Sequence, residues 1–202
     1  MKTFKAVFFD LGGVLSIGRR GPGVHEFVAK KLGMDLDQYL DSIDGIYTDA
    51  ISGEISTNLA LKMMASNLGT SAKKLKKIFY AAYRKNFRRD NTLYNLALNL
   101  KKKGYKIAII SDIWGIARDA ILTKKDYSGF RDIITSYQTG ARKISPKIFQ
   151  IALKRLKVKS EEAIFTDNRK WNLTAPRRLG MIAILYKNPK QFERELKKLG
   201  IK

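Results

Sequence analysis

The stretch KAVFFDLGG, residues 5–13, decides the fold class of this 202-residue chain. It begins as a short apolar run and ends at Asp10 and the pair Gly12-Gly13. A short apolar run that stops at turn residues predicts a buried strand closed by a tight turn. Runs of the same kind recur along the chain at 105–110, 132–135, 163–166 and 181–185.

Segments with apolar residues at helical spacing separate these strands. Two of them have a clear beginning, Ser145-Pro146 and Asn188-Pro189, in which a capping side chain precedes a proline at the first helical position. Apolar strands that alternate with amphipathic helices are typical of a parallel sheet covered on both faces. The sequence therefore predicts an α/β fold, a Rossmann-like parallel sheet with helices on both faces.

The stretch 19–88 interrupts this alternation. It contains no strand-like run, and its apolar residues repeat at helical spacing, for example Leu75 and Phe79. Since it follows the first strand, we expect a small helical cap inserted into the α/β core. The predicted domains are a core of residues 1–18 and 89–202 and a cap of residues 19–88.

The charge of the chain is strongly positive. Lys and Arg number 40 against 18 Asp and Glu, which gives a net charge of +22. The excess is uneven, because residues 19–54 carry 4 basic and 7 acidic groups whereas 62–89 carry 9 basic groups and no acidic ones. A cationic protein favours anionic partners such as phosphorylated metabolites, nucleic acid or an acidic membrane surface. Charge alone does not choose among them.

Other residue types exclude several classes of site. The chain has no cysteine and one histidine, His25, which excludes a disulfide framework, a thiolate metal site, a cysteine nucleophile and a histidine-rich metal cluster. The N-terminal apolar run is far shorter than the ~20 residues of a membrane-spanning helix, and a signal peptide also needs a longer one. We therefore expect a soluble, cytoplasmic protein without a membrane partner; the sequence leaves its oligomeric state open.

Polar residues follow the predicted strands. Asp10 follows the first, Ser111-Asp112 the second and Asp167-Asn168 a later one, while Lys143 lies in a loop before a helix. In an open parallel sheet, ligands bind beyond the carboxyl ends of the strands. A carboxylate nucleophile, a hydroxyl, an ammonium and a second carboxylate at one edge suit the handling of a phosphoryl group with Mg²⁺. Each residue alone is explained as a turn, a cap or a surface charge, and their joint placement points to chemistry.

Four segments, in order, resemble the motifs of the haloacid dehalogenase-like hydrolases. They are FDLGGVL at 9–15, IISD at 109–112, GARK at 140–143 followed by PKIF at 146–149, and IFTDN at 164–168. One such segment alone is a weak signal, whereas four in this order make a strong resemblance that covers almost the whole chain. The chain most resembles the capped subgroup that includes sugar-phosphate phosphatases and the phosphatase domain of epoxide hydrolases.

The resemblance implies a Mg²⁺-dependent phosphatase in which Asp10 is the nucleophile and becomes an aspartyl-phosphate. It also implies that Ser111 hydrogen-bonds a phosphoryl oxygen and that Lys143 offsets the negative charge of Asp10 and of the transferring group. The implied metal ligands are Asp10, Gly12 through its carbonyl, Asp167 and Asn168. The implied substrate contacts are Leu11, Gly12, Gly13, Ser111, Asp112 and Lys143, the first three through backbone N–H groups.

Three positions depart from the family pattern. Gly12 stands where the family usually has a second Asp, which protonates the leaving group and activates water. We therefore expect a slow enzyme, one limited to good leaving groups, or a substitute proton donor. Asn168 stands where an acidic residue is usual, which predicts weaker Mg²⁺ binding. Lys143 is followed by Ile144 instead of proline, so the loop geometry is less well predicted.

Residues of the predicted cap are expected to contact the leaving group. The candidates are 19–23, His25 and Tyr47, although packing explains His25 more readily. The basic stretch 62–89 supports a second hypothesis, a catalytically degenerate protein that binds an anionic partner such as RNA through phosphates. We favour the phosphatase, with a small phosphorylated metabolite as its partner, over nucleic-acid binding. A phosphoryl mutase ranks third, because it needs the acid that Gly12 replaces.

Overall fold

The computed structural model of the protein describes residues 3–18, 23–123 and 127–201. Its strands, in chain order, are β1 (Ala6–Phe9), β2 (Ser16–Gly18), β3 (Phe87–Arg89), β4 (Lys106–Ser111), β5 (Asp132–Thr135), β6 (Ala163–Asp167) and β7 (Ile182–Leu185). Its α-helices are α1 (Val24–Leu32), α2 (Leu36–Ile43), α3 (Ile46–Ser52), α4 (Thr57–Asn67), α5 (Ala72–Asn86), α6 (Asn91–Lys102), α7 (Gly115–Ile121), α8 (Ser136–Thr139), α9 (Pro146–Leu156), α10 (Thr174–Arg178) and α11 (Pro189–Lys198).

A parallel sheet of five strands, in the order β5-β4-β1-β6-β7, forms the centre of the fold. The side chains of β1 alternate between two apolar clusters. Val7 and Phe9 pack with residues of α6 and α11, whereas Ala6 and Phe8 pack with residues of α9 and α10. Because successive side chains of a strand point to opposite faces, both faces of the sheet are covered by helices. The predicted α/β fold class is confirmed.

Both predicted helix starts are confirmed. The hydroxyl of Ser145 accepts a hydrogen bond from the backbone N–H of Lys147 at 3.2 Å, and Oδ1 of Asn188 accepts one from the N–H of Gln191 at 2.8 Å. Each cap is followed by proline at the start of its helix, α9 and α11 respectively. The first of these caps fixes where the loop that carries Lys143 ends.

Helices α1 to α5 lie between β2 and β3 and share one apolar cluster. This cluster also contains Trp114 and residues of α7, which come from the loop and helix that follow β4. The ring of Trp114 meets that of Phe79 on α5 edge to face, with centroids 4.9 Å apart. Trp114 therefore joins the helical layer to the carboxyl edge of the sheet.

The prediction of an entirely helical stretch from 19 to 88 is wrong at its end. Phe87 and Arg88 belong to β3, which pairs antiparallel with β2 in a separate two-stranded sheet. Three residues with two adjacent arginines carry no alternation of apolar and polar positions, so the strand gives no signal in the sequence. Of the predicted cap candidates, residues 19–22 lie outside the described residues.

Helix α5 shows how the basic stretch is arranged. Leu75 and Phe79 are fully buried, whereas the lysines on the opposite side are exposed, namely Lys73, Lys74, Lys76 and Lys77. The positive charge therefore faces solvent while the apolar stripe packs, as an amphipathic helix requires. Among the helices of the described ranges, none combines the length and the apolar character needed to cross a membrane.

Candidate active site

The predicted site residues meet at the carboxyl edge of the sheet. Asp10 directly follows β1, Ser111 ends β4 and Asp167 ends β6. Since β1 lies between β4 and β6, the topology places these three strand ends side by side. Lys143 reaches the same place from the loop between α8 and α9.

Lys143 joins the two carboxylates. Its Nζ donates to Oδ1 of Asp10 and to Oδ2 of Asp167, each at 2.6 Å. All three residues are buried, with Asp10 4% exposed, Lys143 3% and Asp167 0%. One buried cation shared by two buried carboxylates leaves a net negative charge at this point, before any ligand is considered.

Burial and these charges shift two pKa values. Burial raises the pKa of Asp10 from 3.8 to about 6; Lys143 opposes the rise and the charge of Asp167 adds to it. Burial alone would lower the pKa of Lys143, but the carboxylates of Asp10 and Asp167 outweigh burial and raise it. Lys143 therefore keeps its positive charge. Asp10 is the carboxyl group of the cluster whose negative charge is disfavoured.

Further hydrogen bonds hold Asp167 in place. The side-chain amide of Asn172 donates to its Oδ2 at 3.0 Å, and the backbone N–H of Arg169 donates to its Oδ1 at 2.7 Å. With Lys143, each of its oxygens thus accepts at least one hydrogen bond. This arrangement fixes Asp167 as the anchor of Lys143.

Asp112 supports the loop of Lys143. Its Oδ1 accepts from the backbone N–H of Lys143 at 2.9 Å, and its Oδ2 lies 3.5 Å from Nε of Arg142. Ser111 is buried and, like Asp112, lines the cavity beside Asp10. The predicted substrate contacts Ser111 and Asp112 are therefore both at the cavity, but Asp112 already has a structural partner.

The two glycines of the turn after Asp10 differ in backbone conformation and in the space around them. Gly13 has a φ of +79°, and a Cβ there would lie 2.3 Å from Nδ2 of Asn168, so the position requires glycine. Its N–H donates to the carbonyl of Ser16 at 2.7 Å. The contact of Gly13 with a substrate phosphate stays a prediction. Leu11 and Gly12 line the cavity as predicted contacts should, and a Cβ at Gly12 would meet no atom within 4 Å.

A cavity of about 330 Å³ opens above Asp10 and Lys143. Tyr47, predicted to contact the leaving group, lines it. His25 does not line it; its Nδ1 lies 3.1 Å from the Tyr39 hydroxyl and its ring packs edge to face on Tyr47. His25 thus supports Tyr47 from behind.

Several lining residues were not predicted from the sequence. They are Ser16 on β2, Tyr83 and Phe87 from the end of the helical segment, Trp114, Arg142, Ile144, Arg169 and Trp171. One signal was available, because large apolar residues stand in loops directly after the polar motifs, at Trp114, Ile144 and Trp171. Ile144 and Trp171 are exposed, which favours a role at a ligand site, whereas Trp114 is also part of the apolar cluster of the helical layer.

The donor atoms at this edge suit Mg²⁺. Asp10, the carbonyl of Gly12 and the side chain of Asn168 offer oxygens, which this hard cation prefers, and Mg²⁺ commonly uses only one or two carboxylates with waters and phosphate oxygens. Asn168 lies against the turn at Gly13. In the described ranges, no group of three or more His, Cys, Asp or Glu side chains is placed to hold a metal ion. The residues therefore fit a metal site with few carboxylates. This agrees with the presence of Asn168 where the family usually has an acidic residue.

Comparison with known proteins finds a matching family model and several relatives. A model of the haloacid dehalogenase-like hydrolases matches residues 4–180. Bifunctional epoxide hydrolase 2 of Mus musculus is 35% identical over 115 residues, a match that covers 54% of this chain but only 21% of that protein. D-ribitol-5-phosphate phosphatase of Bacteroides thetaiotaomicron is 24% identical over 205 residues, which cover 95% of this chain and 96% of that protein.

A solved structure shares the fold. A HAD family enzyme of Bacteroides thetaiotaomicron, in complex with magnesium and inorganic phosphate, superposes with a TM-score of 0.74 at 21% identity. The superposition covers 91% of this chain and 94% of that one. At this identity the similarity shows the fold alone. Any conclusion about the reaction has to come from the site residues of this chain.

Proposed function

This chain belongs to the haloacid dehalogenase-like hydrolases, and we propose that within this family it is a Mg²⁺-dependent phosphatase of a small phosphate monoester. One observation carries the proposal: Asp10 lies at the floor of the cavity, 2.6 Å from the ammonium of Lys143 and beside Ser111. A carboxylate nucleophile, a fixed cation and a hydroxyl at one point are the groups that transfer of a phosphoryl group requires.

The proposed reaction has two displacements at phosphorus. The Asp10 carboxylate attacks, a bond forms between its oxygen and phosphorus, and the ester oxygen leaves with its electron pair and takes a proton from solvent. Water then attacks phosphorus, the bond to Asp10 breaks, and the products are orthophosphate and the free carboxylate. Carboxylate attack divides one difficult hydrolysis into two easier steps.

The other site residues stabilise charge in these steps. Lys143 is held by Asp167 and lies at the nucleophile, so its ammonium would offset the charge that builds on the transferring oxygens. The Ser111 hydroxyl and the backbone of Leu11 and Gly12 would hold the phosphoryl oxygens, since all three line the cavity. Asp112 would act on the substrate mainly by positioning the Lys143 loop.

We assign Mg²⁺ binding to Asp10, the Gly12 carbonyl, Asp167 and Asn168. When bound, Mg²⁺ would neutralise charge on the phosphate. Asp167 is the least direct of the four, because Lys143, Asn172 and Arg169 already donate to its oxygens. Asn168 contributes an oxygen without a charge.

We also propose the domain division that the sequence suggested, with residues 1–18 and 89–202 as the catalytic core and 19–88 as the cap. Support comes from the cavity, which core loops line below and Tyr47, Ile51 and Tyr83 of the helical segment line above. The strand pair β2 and β3 lies where the chain enters and leaves this segment. The pair would make a double-stranded connection between cap and core.

Phosphate release from acetyl phosphate with Mg²⁺ tests the proposal, because this substrate needs no proton on its leaving group. The wild-type protein should release phosphate, and Asp10→Asn should abolish release while Asp41→Asn, at an exposed position on α2, should not change it. Rapid quenching followed by peptide mass spectrometry should find one phosphoryl group on the Asp10 peptide. Activity retained by Asp10→Asn would overturn the mechanism.

RNA binding is a second candidate function, favoured by the exposed lysines of α5. Filter retention of RNA across a salt series tests it, with a variant in which Lys73, Lys74, Lys76 and Lys77 are replaced by Gln. Phosphate contacts predict retention that falls steeply with salt and falls further in the variant. Weak retention at physiological salt, or turnover of phosphate esters, would argue against a purely binding role.

A further inference from the structure

The cavity above Asp10 has two chemically different sides. The loops after β1, β4 and β6 and the loop between α8 and α9 contribute charged and polar groups, including Asp10, Arg169 and Lys143. The aromatic side of the cavity is formed by Tyr47, Ile51, Tyr83 and Phe87 from the helical segment and β3, together with Trp114 from the loop after β4 and Ile121 from α7. We propose that this side binds a flat, apolar leaving group, so that the substrate is the phosphate ester of an aromatic alcohol or phenol. This inference rests on the proposed phosphatase function and names its substrate class.

The polar atoms of the aromatic side are bonded to one another. Trp114 Nε1 donates to the Tyr83 hydroxyl at 2.8 Å, and this hydroxyl lies 2.8 Å from the hydroxyl of Tyr47. The rings of Tyr47 and Trp114 also meet edge to face at 5.4 Å. Side chains tied together in this way present ring surface to the cavity, and ring surface favours contact with another aromatic group.

The rim of the cavity gives a second, independent observation. Ile144 and Trp171 are 66% and 62% exposed, more than any other large apolar side chain in the described ranges, and both line this cavity. Large apolar side chains exposed at the mouth of a pocket are typical of a binding site. They extend the apolar side outward to the point where a ligand would enter.

The hydroxyl of Ser16 indicates one further property of the ligand. Ser16 is 1% exposed and lines the cavity, and its hydroxyl has no hydrogen-bond partner in the described part of the chain. A buried hydroxyl without a partner is costly unless a ligand supplies one. An aromatic group with one polar substituent would satisfy Ser16, whereas a sugar would place several hydroxyls against the aromatic side, where Trp114 and the two tyrosines already bond to one another.

Size supports a small aromatic group. The cavity of about 330 Å³ is at the lower end of the ~300–1,000 Å³ that small-molecule sites usually have. Part of this volume, next to Lys143 and Ser111, is needed for the phosphate. The remainder suits a single ring or a pair of fused rings better than a long chain.

Tryptophan fluorescence gives a binding test that does not depend on turnover. The chain has two tryptophans, Trp114 and Trp171, and both line the cavity. Benzylphosphonate, which cannot be hydrolysed, should quench the fluorescence with Mg²⁺ present, at a concentration at least about tenfold lower than methylphosphonate requires. Equal midpoints for the two phosphonates would overturn the inference.

Variants test which residues cause the preference for benzylphosphonate. Trp171→Ala should reduce the ratio of affinities for benzylphosphonate over methylphosphonate severalfold, read from the remaining Trp114 or by calorimetry. Tyr80→Ala is the matched control, since Tyr80 is a 41% exposed aromatic residue that does not line the cavity, and its ratio should equal that of the wild type. A ratio unaffected by Trp171→Ala would contradict a role of the rim.

Turnover separates this inference from the proposed function. Benzyl phosphate and glucose 6-phosphate both have poor leaving groups, so a difference between them reports recognition instead of leaving-group reactivity. We expect kcat/KM to be at least about tenfold higher for benzyl phosphate. Turnover of both esters at equal kcat/KM would overturn the inference alone. Phosphonate selectivity without hydrolysis of any phosphate ester or of the acyl phosphate acetyl phosphate would overturn the proposed function alone.

Discussion

The ammonium of Lys143 lies 2.6 Å from Oδ1 of Asp10, although the two residues are 133 positions apart in the chain. The same ammonium is 2.6 Å from Asp167, so a single cation balances two buried carboxylates. Removing a partner from such a cluster leaves an uncompensated buried charge, which costs more than the pair itself contributes. Both activity and stability should therefore respond to changes here.

Lys143→Gln should lower the free energy of unfolding by about 3–5 kcal/mol at neutral pH, because it leaves Asp10 and Asp167 buried without a cation. The double variant Lys143→Gln with Asp10→Asn should recover part of this loss, since one carboxylate is then neutral. Urea unfolding of the set forms a double-mutant cycle, with Lys147→Gln at an exposed position as the control. Strictly additive effects would show that the two residues are not coupled.

The raised pKa of Asp10 predicts how stability depends on pH in the absence of metal. Its pKa is 3.8 in the unfolded chain and about 6 in the folded protein, so the folded state holds this proton more tightly. The stabilisation is fully present below about pH 4 and is lost as pH rises through about 6, by up to roughly 3 kcal/mol. Asp10→Asn removes this dependence.

Urea unfolding of the wild type and Asp10→Asn in EDTA, from pH 4 to 8, checks this sign. The variant should gain stability over the wild type as pH rises, because it lacks the buried carboxyl group that loses its proton in this range. A difference that stays constant across this range would show that Asp10 has an ordinary pKa.

Gly12→Asp should add the proton donor that the site lacks. A Cβ at Gly12 meets no atom within 4 Å and the residue has no left-handed φ, so the side chain fits. General acid help is worth roughly 10²–10⁴-fold, and it acts only where the leaving group needs a proton. We expect kcat to rise for benzyl phosphate and to change little for acetyl phosphate, with Gly12→Asn as the uncharged control. An equal rise for both substrates would argue against acid catalysis.

Asn168→Asp should strengthen Mg²⁺ binding by at least about tenfold, because it adds a negative charge to a set of oxygen ligands. Isothermal titration calorimetry with Mg²⁺ alone measures this directly. Asn99→Asp, at an exposed position on α6, adds the same charge elsewhere and should leave the affinity unchanged. An affinity equal to that of the wild type would remove Asn168 from the proposed ligand set.

Gly13→Ala should destabilise the protein, in contrast to Gly12→Ala. The φ of +79° at Gly13 costs a residue with a Cβ roughly 1–2 kcal/mol, and the new methyl would also displace the side chain of Asn168. Thermal unfolding of the two neighbouring variants compares them under the same conditions. Similar melting temperatures for both would show that the turn relaxes without strain.

Much of the fold could be predicted from the sequence because its signals are local. The apolar run that ends at Asp10, and the serine and proline that begin α9, each depend on neighbouring residues only. Strand β3 escaped prediction for the opposite reason: three residues with two arginines become a strand only because β2 lies beside them. The turn at Gly13 shows the same limit, since the hydrogen bond from its N–H to Ser16 depends on how the chain continues after the turn.

The alternation of strands and helices and the polar residues at the strand ends can be predicted from the sequence alone, because hydrophobic period and turn chemistry are properties of short segments. The contacts of Lys143 with Asp10 and Asp167, and the placement of Trp114 and Trp171 at one cavity, could be learned only from the folded chain. The pKa of a buried charged group depends on neighbours that are distant in the chain. The same is true of whether an exposed aromatic side chain lines a binding site. The strand order β5-β4-β1-β6-β7 supplies those neighbours by placing three strand ends next to one another.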